Sequence, residues 1–545
     1  MSEVTKPMAV CPTCGLQGEA DNCESCAAML SSPAPAKTGV TGGSEVKSLT
    51  MLEKTGDPEP ETHDTPGHQA KLNPVSPHQS QPVHAQTVNI DRPCYRTHDD
   101  WFVVGEQRLR PGLYWHTSDR NGEDLDTWIA DPIYAEASTA DEHGNNHGIM
   151  LRFRNARGQW KEWSMPMRLL SGGGDELRSE LLDQGLRIAR KRREMFIDWL
   201  MSRRPSAEIV AATQTGWHNG AFVLPDKTIG NQDVRYQAEN VPHENYAVGG
   251  EMAEWQRLVA APCQGNPVLI LALSLGLTGP LLQVAKQHNA GGAGIHLMGD
   301  SSKGKTTALA VAASVWGGPG YLRTWRATAN GLEATAAALN DTTLILDEIS
   351  EADPREAGSV VYALSNGSGK QRARRTGGAR APNRWRLMAL SSGERTLAAH
   401  LAEGGRQSKA GQESRLLSIP ATRQTYGAFD ELHDAPDPRT FADGMKQAAQ
   451  QHYGHAGRAF VRALLADDRD MPKRYAALYN RPEFEAQDGQ DTRAAGWFAL
   501  IAMAGELATD YGILPWQSGE ALDAAIWGYN AWRAQRGSGQ TEDRQ

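Results

Sequence analysis

The sequence predicts an α/β protein built on a parallel sheet, and three observations predict it. The apolar stretch Ile295-His296-Leu297-Met298 leads into the loop GDSSKGKT at 299–306 and then into the helix-forming run Thr307-Ala308-Leu309-Ala310-Val311-Ala312-Ala313. At a distance that fits one intervening strand with its helices, Thr342-Thr343-Leu344-Ile345-Leu346-Asp347-Glu348 forms an apolar run ending in two acids. A buried parallel strand delivers carboxylates to the top of a sheet in this way. Two further strand-like runs follow, Trp385–Leu390 and Leu416–Pro420.

The loop at 299–306 is the Gly-x-x-x-x-Gly-Lys-Thr pattern in the strand–loop–helix context that phosphate binding requires. Gly299 and Gly304 permit backbone angles that turn successive N–H groups toward one point, and the helix N-terminus adds the positive end of its dipole. Asp300, Ser301, Ser302 and Lys303 make up the loop between them, and Thr307 continues it into the helix. Lys305 is expected to reach the β- and γ-phosphates of ATP, and the Thr306 hydroxyl to ligate Mg²⁺ together with Asp347. In a chain with 55 glycines the bare pattern can arise by chance, so its context and the downstream acids decide the reading. Glu348 beside Asp347 points to hydrolysis, because a second carboxylate there can polarise the attacking water.

Trp385–Leu390 ends in Ser391-Ser392-Gly393-Glu394, where Ser392 would sense the γ-phosphate; a plain strand-to-turn junction is the competing reading. Arg415 directly precedes Leu416–Pro420. An arginine so placed can reach the nucleotide of a neighbouring subunit and stabilise transition-state charge, a role that exists only in an assembly.

From about Trp101 to Glu542 the chain resembles the bacterial domain-of-unknown-function family nine-two-seven, in GDSSKGKTTALAVAASVWG, TWRATANGLEATAAALNDTTLILDEI, YALSNGSGK, WRLMALSSGE and AGQESRLLSIP. That family is similar to helicase-like ATPases of phages and mobile elements, some akin to minichromosome-maintenance and superfamily-three AAA+ helicases, which form rings that move along DNA. The resemblance implies an AAA+-like P-loop ATPase core, a hexamer, and an arginine finger at Arg415, whose Ser-Arg-Leu-Leu context resembles a Ser-Arg-Phe finger.

The composition is compatible with that reading and restricts it. A chain of 545 residues holds two to four domains. With 22 % charged residues and a net charge of −9, a basic coat is absent and any DNA contact must be local. The N-terminus MSEVTKPMAV lacks an apolar signal core, and 267–285, uncharged but interrupted by Pro280 and glycines, reads as a buried helix or helix pair and not as a membrane span. A cytoplasmic location is expected.

Cys11-x-x-Cys14 and Cys23-x-x-Cys26 have the spacing of a tetrahedral Zn²⁺ site, a zinc-ribbon-like module at 1–30 whose metal would supply the folding energy. Two disulfides are the alternative, disfavoured in a cytoplasmic chain. Residues 31–90 have no Phe, Trp or Tyr up to Asp91 and many Pro, Gly, Ser, Thr and His residues, so they are expected to be a flexible linker. Cys94 and Cys263 are read as unreactive thiols.

Residues 91–250 are expected to form an α+β domain. Its strand-like runs are Trp101–Val104, Gly112–Trp115, Ile149–Phe153, Trp160–Trp163 and Ala221–Leu224, with Arg157-Gly158 a hairpin turn and one helical stretch near 176–201. The run Arg190–Arg193 on that stretch reads as a solvated face. Within the ATPase core, 251–425, no acid lies between Glu356 and Glu394, and SNGSGKQRARRTGGARAP lies where similar helicases place a pore hairpin. Lys370, Arg372, Arg374 and Arg375 would track a DNA phosphate backbone without reading sequence; a solvated loop is the competing reading.

Residues 426–545 read as a helical lid, with an apolar stripe along 492–511 over the nucleotide and Arg493 as a second sensor or a plain surface arginine. These features together predict a helicase or helicase-like replication protein of a mobile element acting on single-stranded or forked DNA, with a further replication protein supplying a DNA-binding module. An ATP-driven protein remodeller and a nucleotide-gated scaffold are the alternatives.

Overall fold

The chain divides into two units, Met1–Ser80 and Gln81–Gln545. The computed structural model describes residues 8–10 and 17–19 of the first, and 86–238, 243–286, 292–373, 379–380, 382–406 and 410–536 of the second. In the first unit Met8–Val10 pairs antiparallel with Gln17–Glu19. Cys11, Cys14, Cys23 and Cys26 lie outside the described residues, as does the expected linker up to residue 85. The end of that linker is structured: Gln86–Thr87 pairs in parallel with Phe102–Val104, and the Val88 N–H donates to the Val103 carbonyl at 3.0 Å.

In the second unit, a three-stranded antiparallel sheet of Cys94–His98, Gly112–Ser118 and Asp124–Ala130 precedes a five-stranded mixed sheet. The latter has the order Trp160–Pro166, Gly148–Arg154, Ile133–Ala140, Ala207–Ala212, Val234–Tyr236. Arg157-Gly158 turns the chain between two of these strands, with Gly158 at φ +79°. The helical stretch expected near 176–201 is instead two helices, Asp175–Asp183 and Arg193–Ser202. Gly185 at φ +92° leaves the helical region, and Arg187 then turns back to clamp Asp131 with bonds of 2.8 and 2.9 Å. Arg190, Lys191 and Arg192 are exposed on the short turn between the helices.

A buried relay organises the smaller sheet. His98 Nε2 lies 3.1 Å from His116 Nε2, and His116 Nδ1 lies 2.6 Å from Asp126, which Arg92 also holds at 2.6 Å. Burial, assisted by His116 and Arg96, pushes His98 down to about 4, and burial, assisted by Lys305 and His400, pushes His296 of the central sheet down to about 4 as well. Both rings are therefore neutral in the fold at pH 7. The unfolded chain takes up these protons first as pH falls below about 6.5, so the stabilisation is present above that pH and disappears toward pH 4. Melting temperature should fall across this window, and more shallowly for His98→Gln; an equally steep fall in the variant would remove His98 from the account.

The largest core is built beneath and around a further, parallel sheet. Helix α1 (Pro267–Gly276) is apolar on every side and buried from Val268 to Gly276, as a helix without a polar face must be. Leu281–Val284 completes the expected helix pair. Among the described residues no helix is long and apolar enough to cross a membrane. Strands β1 (Gly292–Met298), β2 (Arg323–Thr324), β3 (Thr343–Asp347), β4 (Leu387–Gly393) and β5 (Leu416–Pro420) form one parallel sheet in the order β2-β3-β4-β1-β5. Helix α2 (Lys305–Ala313) follows β1, α3 (Ala329–Ala338) follows β2, and α4 (Pro354–Asn366) follows β3. At the foot of the sheet the fully buried Asp341 receives both arms of Arg386 at 2.8 and 2.9 Å and the Trp217 N–H at 3.0 Å. This joins the three-stranded meander Gly216–Gly230 to β3 and β4.

α-Helices of nine to twenty-two residues make up the C-terminal part, among them α5 (Pro438–Gln451), α6 (Gly489–Asp510) and α7 (Glu520–Arg536). The apolar stripe of α6 packs on α1 and α7, where Tyr529 donates to Asp491 at 2.6 Å. The helix lying along α2 is α5. The expected lid helix is thus a buttress, because it is apolar around most of its circumference and needs partners on several sides.

Candidate active site

All the elements of the site converge at the carboxyl end of the central sheet. Gly299 ends β1 at φ +145°, and Gly304 caps α2 at φ +94°, where a Cβ would collide with the Phe429 ring. Asp300, Ser301, Ser302 and Lys303 are exposed between them, and Thr307 is buried. Lys305 is only 7 % exposed, and its Nζ donates to the carbonyls of Gly299 at 2.7 Å and Asp300 at 2.6 Å. Burial pushes this ammonium down, against the pull of Glu348, Glu394, Asp347 and Asp300. A buried cation held by carbonyls alone suits an arriving anion.

Strand order explains how the acids meet the loop. Because β4 lies between β1 and β3, Ser392 is opposite Leu297 on one side and its neighbour Ser391 is opposite Leu346 on the other. The Ser392 hydroxyl donates to Asp347 and accepts the Glu348 N–H at 3.1 Å. Thr306 donates to the same Asp347 oxygen at 3.4 Å, so a hydroxyl and a carboxylate stand side by side as oxygen donors for a hard cation. Ser392, expected as a γ-phosphate sensor, is therefore engaged in holding the acid pair. Among the described residues no group of three or more His, Cys, Asp or Glu is placed to hold a metal ion.

Glu348 has φ +57°, a left-handed backbone that costs a non-glycine residue about 1–3 kcal/mol and marks a constrained position. Its Oε1 accepts from the Ser350 hydroxyl at 2.6 Å. Behind the acids, His296 Nε2 donates to the Arg395 carbonyl at 2.8 Å, while Nδ1 accepts from Ser391, which in turn accepts from Trp325 Nε1 at 2.8 Å. Sequence reasoning missed Ser350, His296, Ser391 and Trp325; a histidine inside an apolar strand was the one visible signal.

The segment after β5 lies along the phosphate loop and was also missed. Ala428 N–H donates to the Lys303 carbonyl at 2.8 Å, and the buried Asn266 carboxamide accepts from the N–H groups of Asp430 at 2.8 Å and Glu431 at 3.0 Å. Loop composition carries no sign of this docking.

Other expected residues lie elsewhere. The Arg415 carbonyl accepts from Gly294 N–H near the start of β1, so this arginine is at the opposite end of the strand from its own phosphate loop, about 15 Å away by strand rise. Its guanidinium donates to the Gly411 carbonyl and to Asn366 at 3.4 Å, and lies 4.6 Å from the centre of the half-exposed Tyr362 ring. Arg372–Ala373 pairs antiparallel with Ala379–Arg380, so the basic segment forms a hairpin. Its stem closes through Gly369 N–H to the Asn383 carbonyl at 2.9 Å, and the Lys370 N–H donates to Glu333 at 3.3 Å. The Lys370 side chain is exposed; Arg374 and Arg375, and the side chain of Arg372, lie outside the described residues. Arg493 is exposed on the first turns of α6, and no hydrogen bond or ion pair joins it to the phosphate loop among the described residues.

The fold is similar to that of the SCCmec type IV Cch active helicase, at 18 % identity, over 81 % of this chain and 78 % of that one, with a TM-score of 0.59. NtrX from Brucella abortus in complex with ADP (14 % identity, 46 % and 67 % of the two chains, TM-score 0.18) and the NrS-1 C-terminal region (8 %, 61 % and 76 %, TM-score 0.23) superpose too loosely to bear on the fold. No curated protein matches the chain. The family described as Domain of unknown function (DUF927) matches residues 106–384, more than half of the chain and including the phosphate loop, the Asp347-Glu348 pair and the arginine hairpin. By that match the chain belongs to the DUF927 family.

Proposed function

We propose that this chain is a Mg²⁺-dependent ATPase that works on DNA as an oligomeric ring, a helicase or helicase-like replication protein of a mobile element. The observation that carries the reading is the convergence of the buried Lys305 and Ser392 with Thr306, Asp347 and Glu348 at the carboxyl end of one parallel sheet. The donor set fits the groups implied: loop N–H groups and Lys305 for phosphates, and the adjoining oxygens of Thr306 and Asp347 for Mg²⁺, which when bound supplies charge stabilisation to the transferring phosphoryl group. Lys305 exchanges loop carbonyls for phosphate oxygens. Ser392 keeps Asp347 and the Glu348 backbone in register, and Glu348, released from Ser350, orients the attacking water.

Arg415 acts on the nucleotide of an adjacent subunit, and its position away from its own loop supports a role in trans. Asn366, which accepts from Arg415, directly precedes Gly367, whose carbonyl receives the Trp385 N–H at the root of the hairpin. A shift of Arg415 on hydrolysis would thereby reach the hairpin, whose basic residues grip a phosphate backbone. The blocks 91–250, 251–425 and 426–545 serve as collar, motor and helical support. The four cysteines at 11, 14, 23 and 26 hold one Zn²⁺; elemental analysis finding no zinc would remove that assignment. The similarity to a mobile-element helicase fold favours DNA over a protein substrate. The test is ATP turnover with and without single-stranded and duplex DNA on protein of measured solution mass. Stimulation by DNA supports the reading, and turnover indifferent to DNA favours the remodeller.

A further inference from the structure

We propose that Tyr426 stacks on the base of the nucleotide, making the turn after β5 the nucleoside half of the site. This rests on the nucleotide reading above and extends it to a part of the ligand that none of the expected residues contacts.

Topology locates the base. In open parallel sheets ligands lie outside the carboxyl ends of the strands. From β1 the chain passes through α2 to β2, at the far edge beyond β4 and β3, whereas β5 pairs with β1 on its other side. The segment that leaves β5 therefore emerges beside the phosphate loop at the carboxyl edge of the sheet, on the side of β1 away from β4. The phosphate loop forms one wall of the site, and that segment forms the other.

That second wall is fixed to the first along its length. Thr422 packs so closely on Gly299 that a Cβ there would collide with its hydroxyl. A Cβ on Gly427 would come 2.8 Å from the Lys303 carbonyl, Ala428 N–H donates to that carbonyl at 2.8 Å, and Phe429 fills the space beside Gly304. Between these anchors the chain makes a tight turn, with Gln424 N–H to the Gly427 carbonyl at 3.0 Å and Tyr426 N–H to the Phe429 carbonyl at 2.7 Å.

Tyr426 is the aromatic residue of this turn that is not buried. It is 43 % exposed, while Phe429 is 1 % exposed, and its hydroxyl makes no hydrogen bond among the described residues. An exposed ring on a rigid turn loses little conformational freedom when a flat ligand covers it, and base–aromatic stacking is sequence-tolerant because every base offers a π-face. The site therefore takes a nucleoside triphosphate by the face of its base.

The experiment measures the affinity of ATP, GTP and inorganic tripolyphosphate for the full chain and for Tyr426→Ala, Tyr426→Phe and Tyr426→Trp, with melting temperature as the folding control. Tyr426→Ala should weaken ATP and GTP about ten- to hundredfold and leave tripolyphosphate within about twofold, while Phe and Trp preserve nucleotide affinity. Equal weakening of ATP and tripolyphosphate would mean that Tyr426 acts only by shaping the phosphate loop, and unchanged ATP affinity would place the base elsewhere. Either result overturns the proposal. A wild-type chain that binds neither ATP nor tripolyphosphate would instead overturn the nucleotide reading itself, and the stacking proposal with it.

Discussion

Lys305→Ala should abolish detectable nucleotide binding, whereas Glu348→Gln should bind ATP as the parent does and lose turnover by about a hundredfold or more. The two variants separate because the groups act on different parts of the reaction. Lys305 is buried and already hydrogen-bonded to two carbonyls of the loop, so its removal leaves those acceptors facing incoming phosphate oxygens without the cation between them. Losing charge-assisted bonds in a buried site costs several kcal/mol, enough for about a hundredfold or more in affinity. Glu348 is bonded to Ser350 and, through its backbone N–H, to the Ser392 hydroxyl, and among the described residues no hydrogen bond or ion pair joins it to Lys305, on which it acts only through its charge; glutamine therefore preserves the cradle while failing to orient and deprotonate water. Calorimetric ATP titration and phosphate release measure the two quantities independently. Parental turnover by Glu348→Gln would move the catalytic carboxylate elsewhere, and full ATP affinity in Lys305→Ala would remove the phosphate loop from the mechanism.

The second large effect is expected at Arg415. Arg415→Ala should reduce hydrolysis about a thousandfold while ATP affinity changes only a few-fold, since a finger acting in trans matters chiefly in the transition state. A purely structural role predicts something different. The stacking on Tyr362 and the 3.4 Å contact with Asn366 are half-exposed interactions worth about 1 kcal/mol, so their loss would lower the melting temperature slightly and leave turnover intact. Mixing Arg415→Ala with Lys305→Ala chains should restore part of the activity, because some interfaces in a mixed ring join an intact cradle to an intact finger. The parental protein should lose specific activity on dilution as rings dissociate. A chain that remains monomeric with ATP and DNA and hydrolyses at a constant specific rate would exclude both the finger and the ring.

How much of the site could be read in advance depended on how local its causes are. The phosphate loop, the strand ending in Asp347-Glu348 and the apolar α1 were legible because each is a contiguous pattern whose backbone requirement is met by neighbours in the chain: glycine where φ is positive, apolar runs where a strand is covered on both faces, and a helix with no polar side. The break at Gly185 was not legible, because the flanking residues favour helix and the exit is held by Arg187 reaching Asp131, 56 positions earlier. The role of α6 was missed for the same reason: an apolar stripe shows that a helix is buried but not against what, and here α1 and α7 cover it while α5 lies on α2.

By itself the sequence determined the class of the central sheet, the loop that can cradle phosphate, the acid pair, and the helix pair beneath them, all of which follow from short-range backbone geometry and the period of apolar residues. Only the tertiary structure decided that β4 enters between β1 and β3, so that Ser392 holds Asp347, that Arg415 stands at the far end of β5 from its own phosphate loop, and that Tyr426 borders the loop of Lys303. Strand order and loop docking are settled by which surfaces can be buried against one another across more than a hundred residues, and no local pattern in the chain encodes that choice.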